Sequence, residues 1–380
     1  MVNTEKPMKN KMHKSDKIIM LFGIAFMLSL MFYLLGSRSD GIFSTAVVKS
    51  MQAVESADEM SSDVIFKVEL KFTAGEHKGK VMVADHYESP GSIYNLQISP
   101  GDTVLAVVDE QSDFTIVGID ELYKSNSMMI LSIVVMVSIL LIAGVNGVKA
   151  MLALCFTLLI IFVIMARMLM AGWPAIITTI ICSIMIAFIN IAFIAGKTKK
   201  AFIAFIGTTL GVMFAGIFGI IATYLMRLSG YTGSESTYLQ MLNTEINLQG
   251  ILISGIIIGS LGAVMDVAIS ISSSVLEISL ANPDYKGHQL FDSGMNIGRD
   301  IIGTMVNTLI LAYTGASLGL ILLFSMQRED FPLIKIMNME FIGAEVVRSL
   351  AGLFGMILAI PITAFVASRI YCKNHNKQTD

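Results

Sequence analysis

The last third of the chain holds ionisable and hydroxyl side chains at positions whose neighbours are almost all apolar. Asp266, Ser270, Ser273 and Glu277 follow at intervals of four, three and four, the spacing that lines one face of a helix. Ser272 and Ser274 flank that stripe. Beyond a short polar segment, Arg299 and Asp300 open a second apolar run. In it Thr304, Asn307, Leu311 and Thr314 share a face, with Thr308 and Tyr313 beside it. A carboxylate can carry a proton or hold a cation, and hydroxyl or amide groups can replace part of a solute's hydration shell. An ionised side chain in hydrocarbon costs roughly 2.5–3.5 kcal/mol on insertion scales, so each of these must meet protein or water. Asp266 needs the most explanation, because all sixteen residues before it, 250–265, are apolar or small. A plainer reading also stands: Ser and Thr in membrane helices bond to their own backbone or glue neighbouring helices. Glu277, Arg299 and Asp300 then simply sit at the membrane boundary.

Composition says what kind of element carries these stripes. Hydrophobic residues make up 54% of the 380 and charged residues 14%, with a mean hydropathy of +0.73. An ordinary soluble domain carries roughly 25% charge. Such a deficit over this length means that lipid solvates most of the chain, which excludes a soluble enzyme, a disordered regulator and a disulfide-stapled secreted domain. A hydrocarbon core about 30 Å thick takes around 20 apolar residues as a helix. Eight runs qualify: 18–35, 127–145, 148–166, 173–195, 201–226, 249–275, 300–325 and 342–368. Lys and Arg in short loops set orientation. Lys6, Lys9, Lys11, Lys14, Lys17, Lys149, Lys197, Lys199, Lys200, Lys286, Arg299, Arg369, Lys373 and Lys377 fall on one side, against only Arg167, Arg227, Arg328 and Lys335 on the other. The fold class expected is therefore a polytopic α-helical membrane protein of eight spans with both termini cytoplasmic. Its first span is a retained anchor, because its apolar stretch exceeds the roughly 7–15 residues of a signal peptide and no lipobox cysteine follows.

The expected organisation is a basic tail (1–17), the anchor (18–35), an extracytoplasmic module (38–126), a seven-span region (127–368) and a C-terminal tail (369–380). The module has 15 Asp or Glu against seven Lys or Arg. Val64, Phe66, Val68, Leu70 and Phe72 alternate with period two, and Val81–Val83, Ile93–Ile98, Thr103–Val108 and Phe114–Ile119 read as further strands. Gly75, Gly79, Pro90-Gly91 and Pro100-Gly101-Asp102 supply turns. About six short strands predict a small closed β-barrel of OB or SH3 type. His77 and His86 lie among Glu76, Asp85 and Glu88, but their spacing fits no metal motif and they are expected at the barrel surface. Gly75–Lys80 is one residue short of a phosphate loop and lacks the Ser or Thr after Lys, so it reads as a hairpin turn. Cys155, Cys182 and Cys372 all lie outside the module, so no structural disulfide is expected. Neither a cofactor nor a metal nor nucleic acid is expected as a partner.

Glycines recur at helix-packing intervals: Gly207, Gly211, Ala215 and Gly219; Gly255 and Gly259; Gly315 and Gly319. Small residues so spaced let backbones approach closely, so they are expected at helix contacts. The run from Gly259 through Gly262, Asp266 and Ser270 to Glu277 resembles the signature of YibE/YibF-like membrane proteins. So does the run Gly294, Gly298, Arg299, Asp300, Gly303 and Thr304, leading into Asn307, Thr308, Tyr313 and Gly315. The resemblance implies a bacterial, multi-spanning, permease-like protein and names no substrate.

These readings converge on a secondary permease of the cell membrane, whose partners are the bilayer and a small solute or ion. A homo-oligomer and a partner membrane protein both remain open. Its site is expected where spans six and seven meet as an antiparallel hairpin, with Val264 and Val267 turned toward lipid. Asp266 is the expected proton or cation carrier, Ser270, Ser273, Thr304, Asn307 and Tyr313 its polar lining, and Glu277, Arg299 and Asp300 a charged gate. No ATP-binding motif is present, which favours coupling to a gradient, although no inverted repeat is visible either. The alternative is a non-transporting scaffold or sensor whose β module binds a partner. An intramembrane hydrolase pairing Asp266 with Asp300 is disfavoured, because Leu261–Asp266 lacks the Gly-x-Gly-Asp context and no His-Glu-x-x-His occurs.

Overall fold

A computed structural model describes residues 43–54, 64–88, 95–111, 114–242, 246–327 and 332–375. The expected anchor, 18–35, lies outside them. The chain divides into two compact units, Met1–Val148 and Lys149–Asp380.

The first unit is built on five strands: β1 (Phe43–Val54), β2 (Val64–Phe72), β3 (Val81–Glu88), β4 (Thr103–Gln111) and β5 (Phe114–Leu122). They pair antiparallel in the order β3-β2-β1-β4-β5. Alternation works as expected in β2, where Val68, Leu70 and Phe72 point into the core and Lys67, Glu69 and Lys71 point out. Ala46, Ala84 and Ala106 occupy inward positions on three strands, and these small side chains let the sheet coil tightly. The outer strands β3 and β5 run beside each other without a hydrogen-bonded ladder, so the sheet is a nearly closed barrel.

Three expectations about this unit need correction. The central strand β1 was not anticipated, because its inward row of Ser44, Ala46 and Val48 has no run of large apolar residues, and a bulge between Val48 and Ser50 breaks the alternation. Residues 95–98 of the expected Ile93–Ile98 strand have no regular structure, although Ile98 is buried in the core. Nor are His77 and His86 surface residues: both are buried. His86 Nε2 hydrogen-bonds the Leu96 carbonyl at 2.9 Å, and the His77 ring packs edge-on against Phe72. Gly75 and Gly79 do form the expected turn, with φ of 85° and 90°.

A long helix follows. Helix α1 (Ser125–Leu159) continues through a π-helical turn, Ile160–Met165, into α2 (Ala166–Met170). The 46 residues would rise about 69 Å as one straight helix, more than twice a hydrocarbon core. Gly144, with φ 54° and ψ −128°, takes the backbone out of helical geometry near the end of the expected run 127–145 and ahead of 148–166.

The second unit packs α3 (Ala175–Ala195), α4 (Lys199–Leu225), α6 (Leu248–Ala281), α7 (Gly287–Ala316) and α10 (Glu340–His375), with the short α5 (Ser234–Leu242), α8 (Leu318–Met326) and α9 (Leu333–Met337) as connections. Thr198 and Asn247 cap α4 and α6, accepting from the Ala201 and Gly250 amides. At the centre α4, α6 and α10 pack on one another. Gly211 of α4 and Gly355 of α10 face each other so closely that a Cβ on Gly355 would lie 2.8 Å from the Gly211 carbonyl oxygen. Gly207 and Gly219 are buried in the same row, so this stripe is the helix contact expected of it. Val264, Val267, Ile271 and Val275 fill the core from α6. Val264 and Val267 are fully buried and do not face lipid.

Among the described residues, five helices are long and apolar enough to cross a membrane, or six if α7 and α8 count as one span. The expected run 300–325 is not one straight helix: the chain bends by 61° between α7 and α8, at Ser317.

Candidate functional site

The outward face of α6 has an unusual composition for a helix in a bilayer. Between residues 251 and 279 its exposed positions are Gly255, Gly259, Gly262, Asp266, Ser270 and Glu277. With half-buried Ser273 they form one stripe at intervals of four, three, four, four, three and four, opposite the buried row of Val264, Val267, Ile271 and Val275. Helices α3 and α4 present lipid-like surfaces instead. On α3 the exposed residues include Ile177, Ile181, Ile184, Met185 and Phe188; on α4, Phe202, Leu210, Met213, Phe214 and Ile217. Among the described residues, the side chains of Asp266, Ser270, Ser273 and Glu277 have no hydrogen bond or ion pair. By contrast Ser254, Ser260 and Ser279 bond back to α6 carbonyls, and Ser272 reaches the Lys200 carbonyl of α4.

Helix α7 runs antiparallel to α6. A Cβ on Gly294 would meet Val275 of α6 and Ala364 of α10, and one on Gly259 would lie 3.4 Å from the Tyr313 hydroxyl. Between those contacts Asp266 falls about level with Thr304, from the 1.5 Å rise per residue. Buried Leu290, Gly294 and Gly298 mark the packed side of α7, and Arg299, Asp300, Thr304 and Asn307 are exposed. Of the lining expected from α7, then, only Tyr313 is brought onto the α6 stripe. Thr304 donates to the Ile301 carbonyl and Thr308 to that of Thr304, the local bonding such residues commonly adopt. Arg299 donates to Asn296 Oδ1 at 3.0 Å. Among the described residues Arg299 forms no ion pair with Glu277 or Asp300, so the expected charged gate is not assembled.

At the other end of the stripe lies a group that sequence reasoning did not place in the site. Arg348 of α10 pairs with Glu345 at 3.1 Å, and its stem and guanidinium lie about 4 Å from where side chains on Gly259 and Gly255 would begin. Tyr313 is within electrostatic reach of the same pair. The Arg348 Nε is buried and has no hydrogen-bond partner among the described residues. Gly255, Gly259 and Gly262 therefore extend the polar stripe rather than pack against a helix. A Cβ on Gly262, Gly303, Gly315 or Gly319 would meet nothing within 4 Å. The place of the α6 glycines was legible in the interval they share with Asp266, but glycine spacing reads equally well as helix packing.

No curated protein and no solved structure matches the chain. The family model described as YibE/F-like protein matches residues 131–373, from α1 to α10, and so takes in both polar helices. With that match and its apolar helices, the chain is a membrane protein that belongs to the YibE/F-like family.

Proposed function

We propose that the protein is a multi-pass secondary permease of the cell membrane, with eight spans and both termini cytoplasmic, that moves a small solute or ion along the outward stripe of α6. One observation carries this reading: every exposed residue of α6 from 251 to 279 is Gly, Asp, Ser or Glu, while α3 and α4 expose mainly Ile, Met, Phe and Leu. Lipid does not solvate a carboxylate well, so this face meets water or moves against another element. Asp266, midway along the stripe, carries the proton or cation. Ser270 and Ser273 offer neutral hydrogen bonds, with Thr304, Asn307 and Tyr313 of α7 contributing as the two helices close. Glu277, Arg299 and Asp300, unpaired with one another in this structure, supply charge at one end, and Tyr313 with Arg348 lies at the other. The work is transport rather than covalent catalysis.

Thiol accessibility tests the pathway. In a chain without Cys155, Cys182 and Cys372, single Cys residues at 266, 270, 273 and 277 should react with an impermeant thiol reagent. Cys at Ile181 and Ile217 (lipid side) or Val264 and Val267 (core) should not. In proteoliposomes Asp266→Asn should abolish proton-coupled flux while leaving folding intact. If the stripe is sealed from both sides in every condition, these residues are helix glue and the permease reading falls.

A second reading, a scaffold or sensor, draws support from the first unit. Val83, Asp85, Tyr87, Ile116 and Asp120 line a cleft of ≈630 Å³ along the unpaired seam of β3 and β5, a place where a partner could dock. Cleft variants that leave flux unchanged but lose a membrane partner would favour it.

A further inference from the structure

Where α7 begins and α10 ends, Gly287, His288 and Phe291 of one helix and Phe365, Arg369 and Cys372 of the other line an open cleft of ≈620 Å³. It is distinct from the α6 stripe. The guanidinium of Arg369 lies over the Phe365 ring, 5.1 Å from its centroid. Among the described residues, neither Arg369 nor His288 pairs with a carboxylate. Lys286 adds a further cation at the start of α7. Two fixed cations, Arg369 and Lys286, with no paired carboxylate among the described residues call for an anion.

The surroundings say which kind. Leu350, Phe354, Ile357 and Phe365 are exposed along one face of α10 at helical spacing, and Arg369 stands one turn beyond Phe365 on that face. An apolar lane that ends in an aromatic and then a guanidinium has the order of groups in a phospholipid, read from its tails to its phosphate. We propose that this cleft binds the phosphate headgroup of an anionic phospholipid, whose acyl chains lie along the α10 face. Arg369 engages the phosphate oxygens through its planar fork, His288 donates from the α7 side, and Phe291 and Phe365 wall the glycerol region. Inorganic phosphate would engage the same cations but leave the apolar lane unused.

Cys372 provides a native reporter, because it lines the cleft while Cys155 and Cys182 are buried. The full chain, purified in detergent, is titrated with dioleoyl phosphatidylglycerol, dioleoyl phosphatidylcholine or inorganic phosphate. Binding is read by native mass spectrometry and by the rate at which Cys372 reacts with a bulky maleimide. Phosphatidylglycerol should bind several-fold more tightly than phosphatidylcholine and slow the labelling. Arg369→Gln should weaken phosphatidylglycerol about fivefold, the effect of roughly one interfacial cation, and phosphatidylcholine, whose choline offsets the phosphate charge, by clearly less. His288→Gln should narrow the preference in the same direction, and it serves as the test should Arg369→Gln fail to fold. Equal affinity for the two lipids, or a preference that survives the substitutions, overturns the proposal. Protection of Cys372 by inorganic phosphate at equal strength would assign the cleft to a free anion and overturn the lipid assignment.

Discussion

Replacing Gly355 by Ala puts a methyl group into the tightest helix crossing of the second unit. Its Cβ would stand 2.7 Å from Ala215 Cβ and 2.8 Å from the Gly211 carbonyl oxygen, with Val264 Cγ2 at 3.4 Å. Carbon contacts of this kind settle at about 3.5–4.0 Å, so α10 must retreat from α4 by about 1 Å. The first two obstacles are a Cβ and a backbone oxygen, neither of which has a rotamer to escape into. Overpacking of this sort costs about 1–3 kcal/mol, and the gain from replacing a helical glycine offsets about 0.5–1 kcal/mol of it. Because neither obstacle can move aside, the upper half of the overpacking range applies and the net loss is about 1–2.5 kcal/mol, which lowers the Tm of a unit this size by about 2–10 °C. Gly262→Ala is the matched control: it has the same propensity gain and no atom within 4 Å. Thermal unfolding of the full chain in detergent, followed by helical circular dichroism, separates the two. If Gly355→Ala melts at or above the wild type, the close approach of α4 and α10 is wrong. If Gly262→Ala falls as far as Gly355→Ala, the outward face of α6 is packed and not open.

Three further outcomes are expected. Gly262→Leu should leave the Tm within a degree or two yet sharply reduce both flux and labelling at a Cys placed at 266, because it fills the stripe one turn away; unchanged flux would remove the stripe from the pathway. The Glu340 carboxylate accepts from the Ser229, Gly230 and Tyr231 amides at 2.7, 2.7 and 3.1 Å and from the Ser229 hydroxyl. Glu340→Ala should destabilise by about 1–3 kcal/mol, and Glu340→Gln, which keeps one acceptor oxygen, by clearly less; equal melting of the two would mean that water replaces the clamp. Leu70→Ala empties a fully buried position of the β unit and should cost about 2–5 kcal/mol, seen as faster proteolysis of that unit with the Tm of the helical unit unchanged.

Much of the architecture was legible because the signals are local. The strand β2 follows from a two-residue period, and α3, α4 and α6 from apolar runs of the right length. The α6 stripe was legible for the same reason: helical geometry fixes which of its residues share a face, whatever the helix packs against. By contrast β1 was hidden by small inward residues, because Ser44 and Ala46 are buried only once the sheet curls around them. The bend at Ser317 has no proline to announce it.

The sequence by itself determined that this chain is lipid-solvated, carries a β unit ahead of its helices, and places Asp266, Ser270, Ser273 and Glu277 on one helical face. Periodicity and composition are sufficient for each. Tertiary structure alone decided which way that face points. It buried Val264 and Val267, left Gly262 uncovered, set Tyr313 and Arg348 against Gly259 and Gly255, and kept Arg299 and Asp300 from joining Glu277. Side-chain spacing is set within one helix, but exposure depends on where α4, α7 and α10 come to rest. Their placement follows from close contacts such as Gly211 with Gly355, between residues far apart in the chain.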